Sequence, residues 1–168
     1  MNKDIEILPL DNDNIEESLA LLQKIFHTFT DEEDPYYWFK LSLEPEKNKE
    51  LMLKRGVSDV RYFIVKDKTK NKVIGTSGLY HLTKDPKDTV WLGFYCLDVQ
   101  YRGKGLGKEI LQWTIDKAKK EGNTMLRLYT SFNEDLRVAL VIYDKLGFVT
   151  TKIEEKDRET IIYKELKL

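Results

Sequence analysis

One cysteine, Cys96, stands alone in 168 residues. No disulfide framework can form within the chain, and its cysteine usage gives no pointer to secretion. Long apolar sequence is also missing. The longest nearly unbroken stretch, Trp91 to Leu97, has seven residues and includes Gly93, whereas a membrane-spanning helix needs about 20. Neither sign of charge prevails: 28 Lys and Arg face 29 Asp and Glu, a net charge of −1. That balance argues against a strong bulk field for nucleic acid and leaves only a local patch open. The first ten residues carry acids and no apolar region follows, so no signal peptide is expected. There are two histidines, His27 and His81, and neither has metal-ligand spacing to another His or Cys. No metal site is expected. No repeat or low-complexity linker divides the sequence. A soluble cytoplasmic domain follows from these absences.

What is present suffices for one core. The chain is 41% hydrophobic, with 3 Trp, 9 Tyr and 7 Phe. At this length roughly 70% of the unfolded surface is buried on folding, and a single domain over residues 1–168 is expected. Ile5 to Leu8 reads as an opening strand ended by Pro9. Asn12 or Asp13 is placed to cap a helix with Ile15, Leu19, Leu22, Ile25, Phe26 and Phe29 at helical spacing. An acidic run, Asp31 to Asp34, meets Pro35 and the aromatic cluster Tyr36 to Phe39. A second helix is read over Glu46 to Lys54, ended by Gly56. Arg61–Lys66 and Val73–Leu82 form a predicted hairpin, and Thr89–Val99 is apolar on both faces, as a central strand is. A helix starts at Gly105 or Leu106 and ends at Gly122. Thr124–Thr130 alternates as a strand, a helix runs to Leu146 with Gly147 as its cap, and Phe148–Ile153 pairs with Thr160–Leu166. The strand–helix–strand passage implies a parallel pair with a crossover helix. The fold class is α/β with a mixed (α+β) sheet.

The run Val99 to Lys108 (V-Q-Y-R-G-K-G-L-G-K) carries the chemistry. Glycines 103, 105 and 107 lie between a strand and a helix. Glycine admits positive φ and close approach of a ligand, and a helix N-terminus offers unpaired N–H groups and partial positive charge. Arg102, Lys104 and Lys108 add cations, so the run reads as a phosphate site. The spacing fits neither G-x-G-x-x-G nor the P-loop, in which a Ser or Thr would follow Lys108 rather than Glu109.

Gln100-Tyr101-Arg102-Gly103-Lys104-Gly105 resembles the Q/R-x-x-G-x-G/A signature of the GNAT N-acetyltransferase superfamily. Ala139 to Phe148 resembles that family's A-x-x-x-Y-x-x-x-G-F segment, and a strand separates the two, as in the family. The resemblance implies a GNAT-like fold. Its central twisted sheet is mostly antiparallel, with a parallel pair around the cofactor site and helices on both faces. It implies transfer of an acetyl group from acetyl-CoA to a primary amine on a small molecule or peptide, without a metal. Arg102, Gly103, Lys104, Gly105, Leu106, Gly107 and Lys108 map to the positions that cradle the coenzyme pyrophosphate. Leu97 and Val99 map beside the pantetheine arm, and Tyr143 maps to the tyrosine that protonates the leaving thiolate. Read without the motif, Tyr143 is a core aromatic. The resemblance leaves the assembly open, a homodimer among its forms, and implies no nucleic-acid or membrane partner.

The sequence departs from the family at three places. Trp91 occupies the strand position where many members carry a Glu base, which keeps open a non-catalytic acyl-CoA-binding module on the same fold. Leu136 stands where an Asn is common, and Asn133, three residues earlier, reads as a displaced contact or a helix cap. Val99 replaces the usual Pro. The Asp31–Asp34 run beside Tyr36, Tyr37 and Trp38 reads either as a cation-favouring surface or as a solvated loop. Cys96, in an apolar strand with no His beside it, reads as an inert buried thiol.

Overall fold

The computed structural model describes residues 3–26, 34–132, 136–156 and 159–168. His27, Phe29, Asp31, Glu32, Glu33 and Asn133 lie outside them. Strand β1 (Ile5–Pro9) leads into α1 (Ile15–Ile25), α2 (Pro35–Leu43) and α3 (Lys49–Lys54). The hairpin β2 (Val57–Asp67) and β3 (Lys72–Leu82) follows, then β4 (Thr89–Leu97), a 3₁₀ turn (Val99–Tyr101) and α4 (Leu106–Lys120). The chain closes with β5 (Met125–Ser131), α5 (Arg137–Lys145), β6 (Val149–Lys156) and β7 (Glu159–Lys167). These strands form one sheet of seven in the order β1-β2-β3-β4-β5-β7-β6. Among the described residues only β4 and β5 pair in parallel, as a strand–helix–strand crossover requires.

The doubly apolar β4 lies at the centre, buried from both faces. Leu22, Phe39, Val60 and Ile64 join in a core on the side of α1, α2 and α3. Leu79, Val90, Leu111, Leu126 and Leu128 join with Tyr143 on the side of α4 and α5. The alternation in β5 sets the split: Leu126 and Leu128 are buried under α4 and α5, so Arg127 and Tyr129 point to the opposite side.

The helix read from Glu46 starts at Lys49, and the hairpin strand read over Arg61–Lys66 spans Val57–Asp67; three further differences have a visible cause. The first helix is capped at Asn14, not at Asn12 or Asp13. Asp11 Oδ1 accepts from the amides of Asp13 at 3.0 Å and Asn14 at 3.1 Å, which turns the chain before the helix starts. The aromatic cluster, which the sequence reading left without an element, is helix α2. Asp34 accepts from the Tyr36 amide at 2.9 Å and Pro35 takes the first turn, a cap-plus-proline start. Its apolar residues are not confined to one stripe, so periodicity does not reveal it. The central strand ends at Leu97 rather than Val99. Asp98 turns away there, with its amide donating to the Ile74 carbonyl at 2.7 Å and its carboxylate accepting from the Gln100 amide at 3.1 Å.

β4 and β5 stay paired only through Thr89↔Met125, Val90↔Leu126 and Trp91↔Arg127. Beyond that, β4 keeps its partner β3 up to Leu97, and β5 keeps β7 up to Ser131. The two strands part, and a wedge opens between them. A bulge bends β4 in the wedge: three steps from Gly93 to Cys96 oppose two from Gly78 to Thr76. Phe94 takes φ +38 there. Its carbonyl accepts from Thr76 Oγ1 at 2.5 Å, and its ring lies 5.6 Å from Tyr62 and 5.8 Å from Phe39.

Two buried carboxylates anchor the segment after β4. Asp98, 1% exposed, pairs with Lys24 of α1 at 3.1 Å and Lys72 of β3 at 3.7 Å. Burial pushes this carboxyl up, but the Gln100 amide and the two lysines outweigh it and leave it below its ordinary value. Asp67, at the end of β2, accepts from the Tyr101 hydroxyl at 2.7 Å and the Thr69 hydroxyl at 2.7 Å. Tyr101 and Thr69 together hold the Asp67 carboxyl down at about 2.

Replacing Gly78 by Ala sets a Cβ 2.3 Å from the Tyr62 ring, and the ring is wedged among Phe39 and Phe94. Overpacking of this kind costs about 1–3 kcal/mol. The thermal midpoint of Gly78→Ala is expected to fall by roughly 2–12 °C, which a calorimetric scan checks.

The Asp67 carboxyl, folded, loses its proton at lower pH than the ordinary 3.8. Its contribution to stability is therefore complete above the ordinary value and disappears as pH falls through about 2. Tyr101→Phe removes the main cause. Urea unfolding should show a stability gap between wild type and variant that is constant from pH 7 to 5 and narrows below pH 4. A gap that stays flat to pH 3 would show that the Tyr101–Asp67 bond contributes nothing.

Candidate active site

The loop from Arg102 to Lys108 follows directly from these anchors. Gly103 has φ +81 and Gly105 φ +82, and a Cβ at either would meet no atom within 4 Å. Both glycines are needed for the left-handed backbone, and the space over them is open. Gly107 has a different duty. A Cβ there would stand 3.1 Å from the Tyr95 hydroxyl and 3.4 Å from Ile142 Cδ1. This third glycine lets the start of α4 approach β4 and α5. The sequence reading treated all three alike.

Among the described residues, the amides of 103 to 108 donate to no acceptor. They end at the N-terminus of α4, 15 residues long, whose dipole adds partial positive charge. Lys104 and Lys108 are exposed beside them, and Leu106 is buried as the first residue of the helix. Arg102 is exposed, with its Nε donating back to the Leu97 carbonyl at 3.0 Å. A pyrophosphate fits this row chemically: donors without partners, cations at the rim and no side chain over the two left-handed glycines.

Leu97 closes β4 with its side chain under α4 beside Ile110. Val99, 60% exposed, is outside the strand in the 3₁₀ turn. The structure thus separates the two residues that the sequence reading placed on one strand.

Tyr143 reaches the wedge from α5. It is 6% exposed, with its ring 6.1 Å from Tyr95 and 5.7 Å from Phe148. Burial, and then the neighbouring Tyr95, push its pKa far up, so the phenol keeps its proton. Its hydroxyl has no hydrogen-bond partner among the described residues. Tyr95, which the sequence reading passed over, stands between this ring and the loop. Its hydroxyl donates to the Gly107 carbonyl at 2.8 Å, and burial raises its pKa as well. No motif marks it, because its contacts belong to α4 and α5 rather than to neighbours in sequence.

The opposite face of the wedge is polar. Trp91 donates through Nε1 to Asp85 Oδ2 at 2.7 Å and stacks on Tyr80 at 6.2 Å. Arg127, beside Trp91 in register, donates to Asp85 Oδ1 at 3.2 Å and to Glu165 Oε2 at 3.3 Å. Trp91, at the position where the resemblance implies an acid, thus holds one, Asp85, through its indole.

The other residues weighed have structural partners. Asp34, the one described member of the acidic run, caps α2. His81 Nε2 and Asn123 Oδ1 are 2.9 Å apart. Cys96 is buried 3.2 Å from Thr76 Oγ1, and burial pushes its thiol up to about 11. Among the described residues, no three His, Cys, Asp or Glu side chains are grouped to hold a metal ion, and no helix is long and apolar enough to cross a membrane.

Comparison with known proteins agrees with this geometry. A spermine/spermidine N(1)-acetyltransferase of Bacillus subtilis (strain 168) is 34% identical over 77 residues, which span 46% of this chain and 50% of that relative. The ribosomal-protein-S5-alanine acetyltransferase of Vibrio fischeri superposes with a TM-score of 0.72 at 20% identity, covering 99% of this chain and 94% of the other. A Salmonella typhimurium protein solved with its cofactor acetyl-CoA superposes with a TM-score of 0.70 at 16% identity, covering 98% and 94%. Residues 20–148, which take in both motifs and the parting strands, match the acetyltransferase (GNAT) family, and the chain belongs to it.

Proposed function

We propose that this chain moves an acetyl group from acetyl-CoA to a primary amine. The observation that carries the reading is the wedge between β4 and β5, which has the amide-lined loop at one end and the side chain of Tyr143 packed against both strands on one side. In this reading the amides of Gly103, Lys104, Gly105, Leu106, Gly107 and Lys108 hold the pyrophosphate, with Arg102 at the rim. The unpaired edge of β4, ending at Leu97, runs beside the pantetheine arm, and Val99 lies past it. Acetyl-CoA supplies a thioester whose carbonyl the amine attacks: the C–N bond forms, the C–S bond breaks, and the nitrogen releases a proton to solvent, from which Tyr143 regains the one it gives to sulfur.

Tyr143 serves the leaving group. A thiol loses its proton near pH 8.5 and a phenol near 10. With its pKa raised further by burial, Tyr143 arrives protonated and donates to the charge growing on sulfur. Water is excluded on its side by Tyr95 and Phe148. The amine enters from the face of Trp91 and Arg127. The Bacillus subtilis relative is named for spermine and spermidine, so small polyamines are the acceptors to test first. Trp91 in the strand favours one other reading, a module that binds acyl-CoA without turnover.

Thermal melting with ligands at 1 mM tests the binding half. A ligand at 100 times its Kd adds about 2.7 kcal/mol, a rise of roughly 5–11 °C for a chain of this size. Acetyl-CoA and coenzyme A should raise the midpoint, and ATP and NAD should not. If neither coenzyme moves it, the loop is not the site.

Thiol release with spermidine tests the transfer half. Tyr143→Phe should lower kcat about 100-fold while keeping the acetyl-CoA shift in melting. A rise in the midpoint with no turnover of any amine would favour the non-catalytic module.

A further inference from the structure

Tyr62 stands in the middle of β2, and its side chain crosses the sheet toward the wedge. Its register partner is Gly78 on β3, and the partner of Gly78 is Gly93 on β4. Neither glycine has a side chain to hold the ring away. A Cβ on Gly78 would lie 2.3 Å from Tyr62 Cδ1 and 2.4 Å from Cε1. A Cβ on Gly93 would lie 3.2 Å from Cε1 and 3.4 Å from the hydroxyl. The ring therefore lies over β3 and carries its oxygen to β4. Phe39, with ring centres 4.7 Å apart, and Phe94, at 5.6 Å, hold it there.

Gly93 is two residues past Trp91, the last residue of β4 paired with β5. The Tyr62 hydroxyl thus arrives where the strands part. It lies on the face of the first core, opposite the face that buries Tyr143. Tyr62 is 6% exposed, and its hydroxyl has no hydrogen-bond partner among the described residues. A buried hydroxyl left unpaired is costly, and here the cost is carried where β4 and β5 leave a gap. Burial, and then the phenol of Tyr129 on β5, push the Tyr62 pKa far up, so it keeps its proton. It is a donor with nothing to donate to in the protein.

Three atoms change charge when an amine attacks a thioester. Nitrogen gives its lone pair to the new bond. Sulfur takes a proton, which Tyr143 supplies in the reading above. The carbonyl oxygen gains negative charge and needs a donor that is already in place.

We propose that the Tyr62 hydroxyl donates to the carbonyl oxygen of the acetyl group and is a second catalytic tyrosine of this chain. The proposal rests on the reading of the wedge as the place of acetyl transfer. The hydrogen bond polarises the carbonyl before attack. As the C–N bond forms, the carbonyl electron pair moves onto oxygen, and the phenol holds that charge while keeping its own proton. As the C–S bond breaks, the pair returns to the carbonyl. No proton leaves Tyr62 at any stage, which a phenol of raised pKa suits.

Infrared spectra of bound acetyl-CoA, isotope-labelled at the acetyl carbonyl, test this without requiring turnover. Tyr62→Phe keeps the ring over both glycines and removes the hydroxyl alone. Its melting midpoint, and the rise that acetyl-CoA gives, should match wild type. The carbonyl band should lie at lower frequency in wild type than in Tyr62→Phe. Thiol release should lose about 100-fold in kcat, the scale of one donor to a developing oxyanion, with the KM of acetyl-CoA little changed. A band or a kcat unchanged in folded Tyr62→Phe would overturn the inference. A band that moves in a protein releasing no thiol with any amine would count against the transfer reading and leave the contact standing. Failure of wild type to bind acetyl-CoA would overturn both.

Discussion

Everything in the candidate site depends on the parting of β4 and β5 after three residue pairs. Each strand is fully employed on its other edge, β4 by β3 and β5 by β7. Neither can follow the other once the bulge at Phe94 bends β4 away. The unusual backbone of Phe94 is held by the Thr76 hydroxyl and by two aromatic neighbours, so the packing of the first core keeps the wedge open. Unpaired strand edges inside a protein are costly, and a fold that keeps them has edges ready for an extended ligand.

The wedge has two unlike sides because the residues of β5 alternate. Leucines 126 and 128 turn to α4 and α5, where Tyr143 is buried and stays protonated. Arg127 and Tyr129 turn to the other side, with Trp91, Asp85 and Glu165. A buried, protonated phenol stands on one side and charged, partly exposed groups on the other. This separation suits acyl transfer, in which the amine adds to one face of a planar carbonyl and the thiolate then departs from the tetrahedral adduct. A net charge of −1 for the whole chain conceals the local cationic surface of Arg102, Lys104 and Lys108 at the loop.

The loop is anchored by contacts outside itself. Asp98 is locked between α1 and β3, Tyr101 is tied to the end of β2, and Tyr95 is tied to the first turn of α4. The row of amides is consequently set by three elements that do not belong to the motif.

The sequence by itself determined the local features: the strands and α4 by their periodicity, the left-handed turns at Gly103 and Gly105 by the glycines, and family membership by two spaced motifs. These are properties of neighbours in the chain, where a few residues dictate backbone geometry. Helix α2 escaped the sequence reading, because its apolar residues follow no single stripe, although Asp34 and Pro35 form its cap and first turn. Only the tertiary structure decided where β4 stops, why Gly107 must lack a Cβ, that Tyr95 bridges the loop and Tyr143, and that Asp85 and Glu165 meet at Arg127. Each of these joins residues distant in sequence, and register, bulge and crossover bring them together. Composition and spacing carry no record of which carboxylate will face which guanidinium, because that pairing is set by packing on both faces of the sheet.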